Sequence, residues 1–211
     1  MIVRIFLIAL LVLSASATAR AQFSYTTNSD GSSLTITGYS GPGGAVTIPS
    51  SINGFSVTSI GIGTAEGVFQ YSGLTSIVIP NSITNIGDYA FANNNVQTIT
   101  IPGSVIGMGN NVCFQCSLTN AVFADGATVI GANMFNDCPS LNSIIIGDSI
   151  TNIGNDAFLD CSDLTNITVN ASNPVYSSLG GVLFGSGLYE SPSISLAAAI
   201  CRNPHQWFYL F

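Results

Sequence analysis

The chain of 211 residues carries 3 Lys plus Arg against 10 Asp plus Glu, and 47 % of it is hydrophobic. So sparse and so acidic a composition excludes binding to phosphate backbones or anionic lipid, both of which need clustered Lys and Arg. No lysine occurs and there is a single histidine, so the usual general bases and activated nucleophiles are nearly absent.

Residues 1–21 read as a secretory signal peptide. Arg4 supplies a positive start, residues 5–13 are an apolar core, and Ala19-Arg20-Ala21 is an A-x-A cleavage site. The apolar run falls short of the roughly 20 residues that a spanning helix needs. The expected product starts at Gln22, is exported to the extracellular space or cell surface, and has no membrane insertion after cleavage. Arg202 is then its only Lys or Arg beside all ten acids, a net charge of −9. Its polar surface must be mostly Ser, Thr, Asn and Gly.

Residues 22–44 alternate polar and apolar around Phe23, Tyr25 and Thr27, turn at Asp30-Gly31, and alternate again through Leu34 and Ile36. We read them as a β-hairpin that forms an N-terminal cap. An irregular first coil occupies residues 45–73, with Val46, Ile48, Val57, Ile60, Val68 and Phe69 as its apolar positions.

From residue 74 onward the chain repeats. Leu74, Ile77, Ile79, Ile83, Ile86, Ala90 and Phe91 set a ladder that returns as Val96, Ile99, Ile101, Val105, Met108, Cys113 and Phe114. It returns as Leu118, Ala121, Phe123, Ala127, Ile130, Met134 and Phe135, and again as Leu141, Ile144, Ile146, Ile150, Ile153, Ala157 and Phe158. Leading positions lie 22, 22 and 23 residues apart, and Leu164 opens a fifth copy after another 23. A fixed period of this kind is the signature of a solenoid. Within each copy a period of 2 in β-branched residues predicts strand, and no window carries a long helical pattern. The fold class is therefore mainly β, a solenoid spanning residues 45–184. One coil alone cannot offset the entropy of ordering itself, so each depends on its neighbours. The glycine after each second strand (Gly87, Gly109, Gly131, Gly154) marks a corner needing positive φ or close backbone approach.

Cys113-Phe-Gln-Cys116 is formally C-x-x-C, but it has no βαβ context and no second pair. In the repeat alignment Cys113 stands with Ala90 and Ala157, while Cys116 joins Cys138 and Cys161 in a separate column, read as free buried thiols. The Asp125/Asp148 and Asp137/Asp160 pairs stack in neighbouring coils, a weak pattern for calcium and an ordinary one for turns. A Ser-His-Asp triad would need His205, far from any G-x-S-x-G elbow. We expect no enzyme activity, no cofactor and no metal. Asn166-Ile-Thr168 and Asn170-Ala-Ser172 match glycosylation acceptors, relevant only in a eukaryotic secretory pathway.

The template L-x-x-I-x-I-P-x-S-I-x-x-I-G-x-x-A-F-x-x-C resembles the BspA-type leucine-rich repeat of bacterial secreted and surface proteins. Residues 173–178 and 181–184 look like a segment that often follows such repeats. The resemblance, over about residues 23–184, implies a leucine-rich solenoid used for protein–protein contact, in some members adhesion to host extracellular-matrix proteins. Residues 185–211 depart from the pattern. They read either as a non-native or truncated end that packs loosely or as an improvised cap built on Trp207, Phe208, Tyr209, Leu210 and Phe211.

What remains is a surface. Strand alternation turns Ser76, Thr98, Asn120, Ser143 and Asn166 outward in one column, and Val78, Thr100, Val122, Ile145 and Thr168 in the next. Half apolar and half hydroxyl or amide, this stripe suits a protein partner, itself an extracellular or surface protein. The alternative is a structural spacer, or a fragment of a larger surface protein, with no binding activity of its own.

Overall fold

The structure, a computed structural model, describes residues 22–62 and 66–185. The expected signal segment and the tail beyond residue 185 lie outside the described residues. Regular structure among the described residues is entirely strand. In chain order it comprises β1 (Phe23–Thr27), β2 (Ser33–Tyr39), β3 (Gly44–Thr47), β4 (Ser51–Ile52), β5 (Phe55–Ile60), β6 (Leu74–Val78), β7 (Asn85–Ile86), β8 (Thr98–Ile101), β9 (Gly107–Met108), β10 (Asn120–Phe123), β11 (Val129–Ile130), β12 (Ser143–Ile146), β13 (Asn152–Ile153), β14 (Asn166–Val169), β15 (Tyr176–Leu179) and β16 (Val182–Gly185).

Each coil uses one longer strand and one two-residue strand, and coils stack in parallel. The longer strands form a sheet in the order β14-β12-β10-β8, with β3-β6 paired separately. The short strands β7 and β9 extend a second sheet that begins with β1, β2 and β5, and β11 pairs with β13. The first hairpin is antiparallel, and β2 then pairs parallel with β5. Phe23 and Tyr39 of that hairpin pack against Phe69, with ring centroids 6.2 and 5.1 Å apart. Asn28 also ties it to the first coil, donating to Thr58 Oγ1 at 3.1 Å.

A third ladder runs through the turns between each short strand and the next long one. Phe69, Phe91, Cys113 and Phe135 donate their N–H groups to Ala90, Val112, Met134 and Ala157 of the following coil at 2.8–2.9 Å. Asn93, Gln115 and Asp137 do the same two residues later, to Phe114, Asn136 and Leu159. Alternate turn residues hold the left-handed region: Tyr89, Asn111, Asn133 and Asp156 in one column, Tyr71, Asn93, Gln115, Asp137 and Asp160 in the other. Asn and Asp tolerate that conformation best, which explains why they dominate both columns.

This ladder corrects the alignment of the second copy. Phe69, Phe91, Cys113, Phe135 and Phe158 occupy one structural slot, and Ala90, Val112, Met134 and Ala157 the slot before it. Cys113 therefore stands where phenylalanine stands elsewhere, not with Ala90 and Ala157. Val112 fills the smaller position and is fully buried, while Phe114 is only half-buried. No residue is inserted in that turn; the extra residue of the later copies falls between Cys138 and Leu141 and between Cys161 and Leu164. The eye pairs Cys113-Phe114 with Ala90-Phe91 because phenylalanine is the more conspicuous marker.

With the register set this way, Cys116, Cys138 and Cys161 all lie three residues past the phenylalanine slot, and Asn94 joins them. Each donates to the carbonyl of that slot in the preceding coil: Asn94 Nδ2 to Phe69 at 2.8 Å, Cys116 Sγ to Phe91 at 3.2 Å, Cys138 Sγ to Cys113 at 3.1 Å and Cys161 Sγ to Phe135 at 3.1 Å. Asn94 does more than the thiols. Its Nδ2 also donates to Phe91 and Ala92, and its Oδ1 accepts the N–H of Leu74 at 2.9 Å.

The corner glycines resolve in favour of close approach. Gly131 lacks a positive φ, yet a Cβ there would sit 2.0 Å from the carbonyl oxygen of Gly109. At Gly87 it would sit 2.3 Å from that of Gly61.

Asn94→Ala leaves the buried Leu74 N–H without a partner, at about 1–3 kcal/mol, and removes one donor each from the carbonyls of Phe69, Phe91 and Ala92, which keep the Ser72 N–H, the Cys116 thiol and the Tyr71 N–H. We expect it to destabilise the fold by about 2 kcal/mol in urea unfolding. Asn94→Cys, which restores the donor to Phe69, should recover about a third of that loss.

Candidate binding face

Among the ten outward candidates, eight share one continuous sheet. Thr98, Asn120, Ser143 and Asn166 are direct neighbours across β8, β10, β12 and β14, as are Thr100, Val122, Ile145 and Thr168. The residues between them turn in: Ile99, Ala121, Ile144 and Ile167 are buried. Ile145 is 46 % exposed, while Val122 and Ser143 are half-buried. Ser76 and Val78 belong to the separate β3-β6 pair, where they oppose Ala45 and Thr47, and Val78 is 54 % exposed. The stripe therefore runs in two pieces, with β6 not laddered to β8. A register shift in the β3-β6 ladder accompanies this break.

The rims of the sheet are built from carboxylates and amides that close turns. Asp125 Oδ1 accepts the Asp148 N–H and the Asn170 Nδ2 at 3.0 Å each. Asp148 Oδ1 accepts the Gly126 N–H at 3.2 Å and the Ser149 hydroxyl at 2.7 Å. On the turn side an amide ladder links coils: Gln70 Nε2 to Asn93 Oδ1, Asn93 Nδ2 to Gln115 Oε1, and Gln115 Nε2 to Asp137 Oδ2, at 3.3, 2.8 and 2.7 Å. This ladder escapes a reading focused on apolar periodicity, although its members recur at the repeat spacing. Near the first hairpin, the Ser33 hydroxyl and the Ser32 and Ser33 N–H groups hold the Asp30 carboxyl below the usual range.

No group of three or more His, Cys, Asp or Glu among the described residues is arranged to hold a metal ion. His205 lies outside the described residues. Neither Lys, Arg nor His occurs in the described segments, which contain nine Asp or Glu. What the arrangement offers is an uncharged sheet face bordered by Asp125 and Asp148.

Stacked parallel coils of about 22 residues, with leucine-type positions inward and one strand face outward, define a leucine-rich-repeat solenoid. The sequence profile described as the BspA type leucine rich repeat region matches residues 64–178 in 6 copies. The chain belongs to the BspA-type leucine-rich repeat family. No curated protein matches it. Among solved structures it is similar to a leucine-rich repeat protein from Eubacterium ventriosum, at 24 % identity and a TM-score of 0.54, over 78 % of this chain and 46 % of that one. It is also similar to the pneumococcal vaccine antigen PcpA, at 18 % identity and a TM-score of 0.56, over 78 % of this chain and 52 % of that one. The chain thus spans about half the length of these structures, and the likeness is one of fold.

Ile144→Asp and Ile145→Asp are adjacent and chemically identical changes. Ile144→Asp buries an unpaired charge and should unfold the array, whereas Ile145→Asp should cost about 1 kcal/mol or less. Urea melts of the two variants check the inward and outward assignment.

Proposed function

We propose that this protein is an exported, non-catalytic interaction module whose outward face on β8, β10, β12 and β14 holds a protein partner at or beyond the cell surface. The observation that carries this reading is the in-register column Thr100, Val122, Ile145 and Thr168. It presents two aliphatic side chains flanked by hydroxyls on a rigid sheet. Membership of a repeat family built for extended contact supports it. So does the signal-like segment at residues 1–21, which directs the partner search outside the cell. The hairpin of β1 and β2 serves as the N-terminal cap, since Phe23 and Tyr39 cover the ring of Phe69, which is fully buried beneath them. Ser76 and Val78 extend the contact as a second, separate patch. Adhesion to extracellular-matrix protein is the specific use we favour.

The double variant Val122→Asp/Ile145→Asp tests it. Retention on immobilised extracellular-matrix proteins should weaken by about tenfold or more, the scale expected when two central apolar contacts are lost. The melting temperature should stay within about 3 °C of the parent. Unchanged retention, or none for the parent chain, would favour the spacer alternative.

A further inference from the structure

One coil holds cysteine in both the phenylalanine slot and the thiol slot. These two slots are the ends of a four-residue turn. In the first and last of these coils the turn is closed by its own backbone, with the Ser72 N–H donating to Phe69 at 3.2 Å and the Cys161 N–H to Phe158 at 3.3 Å. Its third residue has a positive φ in every coil, 53° at Gln115. A turn of this kind holds its terminal Cα atoms within about 7 Å, the span a disulfide bridges. Each thiol shifts the proton affinity of the other, Cys113 acting as the donor toward Cys116. Cys113 and Cys116 are both buried, but the turn between them reaches the surface, with Phe114 half-buried and Gln115 exposed.

We propose that Cys113 and Cys116 are a modification site, joined within this turn by exchange with a small oxidised disulfide such as oxidised glutathione. Cys116 attacks one sulfur of the reagent as a thiolate, forming a mixed disulfide and releasing one reduced thiol. Cys113 then loses its proton and attacks the Cys116 sulfur, releasing the second. Two protein thiols and one disulfide become one protein disulfide and two small thiols.

The environment divides the roles. The hydrogen bond from Cys113 holds the Cys116 thiol below its ordinary range and raises that of Cys113, with burial adding to the rise. Burial pushes Cys138 up to about 12, so it stays protonated and keeps its bond to the Cys113 carbonyl. Oxidation gives up the Cys116 bond to Phe91 and ties the turn covalently. It does so in the coil that lacks the stacked ring present in its neighbours.

The test uses the reduced full chain, incubated with oxidised glutathione in mild urea to let the turn open, then alkylated and weighed. Of the five thiols in the chain two should disappear, and peptic peptides should place the bridge between Cys113 and Cys116. A Cys138→Ala/Cys161→Ala/Cys201→Ala variant should lose both remaining thiols, and Cys113→Ser should accumulate a glutathione adduct on Cys116. Five thiols remaining, or a bridge from Cys116 to Cys138, would overturn the proposal.

Discussion

The structure depends on satisfying the backbone of its turns across the gap between coils. Four turn residues at the phenylalanine slot bury carbonyls that no strand ladder reaches. In each case a side chain from the turn of the next coil reaches back: Asn94 to Phe69, Cys116 to Phe91, Cys138 to Cys113 and Cys161 to Phe135. These bonds join the carbonyls of one turn to the side chains of the next, beside the bonds the Phe69 and Phe91 carbonyls accept within their own turns, and so tie successive coils together on the side that has no helix. The sheet face depends on them in turn. Strands β8 to β14 keep a common register because the turns that feed them are locked in step.

The aromatic column through the coils is interrupted at one point. The ring stack runs from Phe23 and Tyr39 through Phe69 to Phe91, whose centroids are 5.6 Å apart, and stops at Cys113. It resumes as Phe123, Phe135 and Phe158. Phe123 stands where Ile101 and Ile146 stand in the neighbouring coils, and Ala121, the previous inward residue of its strand, is correspondingly small, which keeps the volume of that strand's inner face in balance.

Much of this is legible in the sequence. Inward residues of the four copies announce themselves by recurrence, and Leu74, Ile99, Phe123 and Ile146 are all buried as that recurrence implies. The leading hairpin emerges from alternation around Asp30-Gly31. The second copy misaligns when side-chain identity, not backbone bonding, sets the alignment, because Cys113 next to Phe114 offers a false match. Asn94 goes unrecognised as the counterpart of the cysteines, since an amide and a thiol look unrelated until both are seen donating to the same carbonyl. The break between β6 and β8 is invisible too. It is a matter of hydrogen bonding between strands, which a pattern of apolar residues does not encode.

The acidic, lysine-free surface and the neutral sheet face belong together: charge keeps the array soluble while leaving the flat stripe free of repulsion. That division holds only if the turns are part of the stacked framework rather than loops draped over it. Native-state hydrogen exchange tests this directly. The amides of Phe91, Asn93, Cys113, Gln115, Phe135 and Asp137 should exchange as slowly as those of Ile99, Ala121 and Ile144, and through the same cooperative opening. Exchange of these turn amides at the rate of an unstructured peptide, with the strands still protected, would contradict the account.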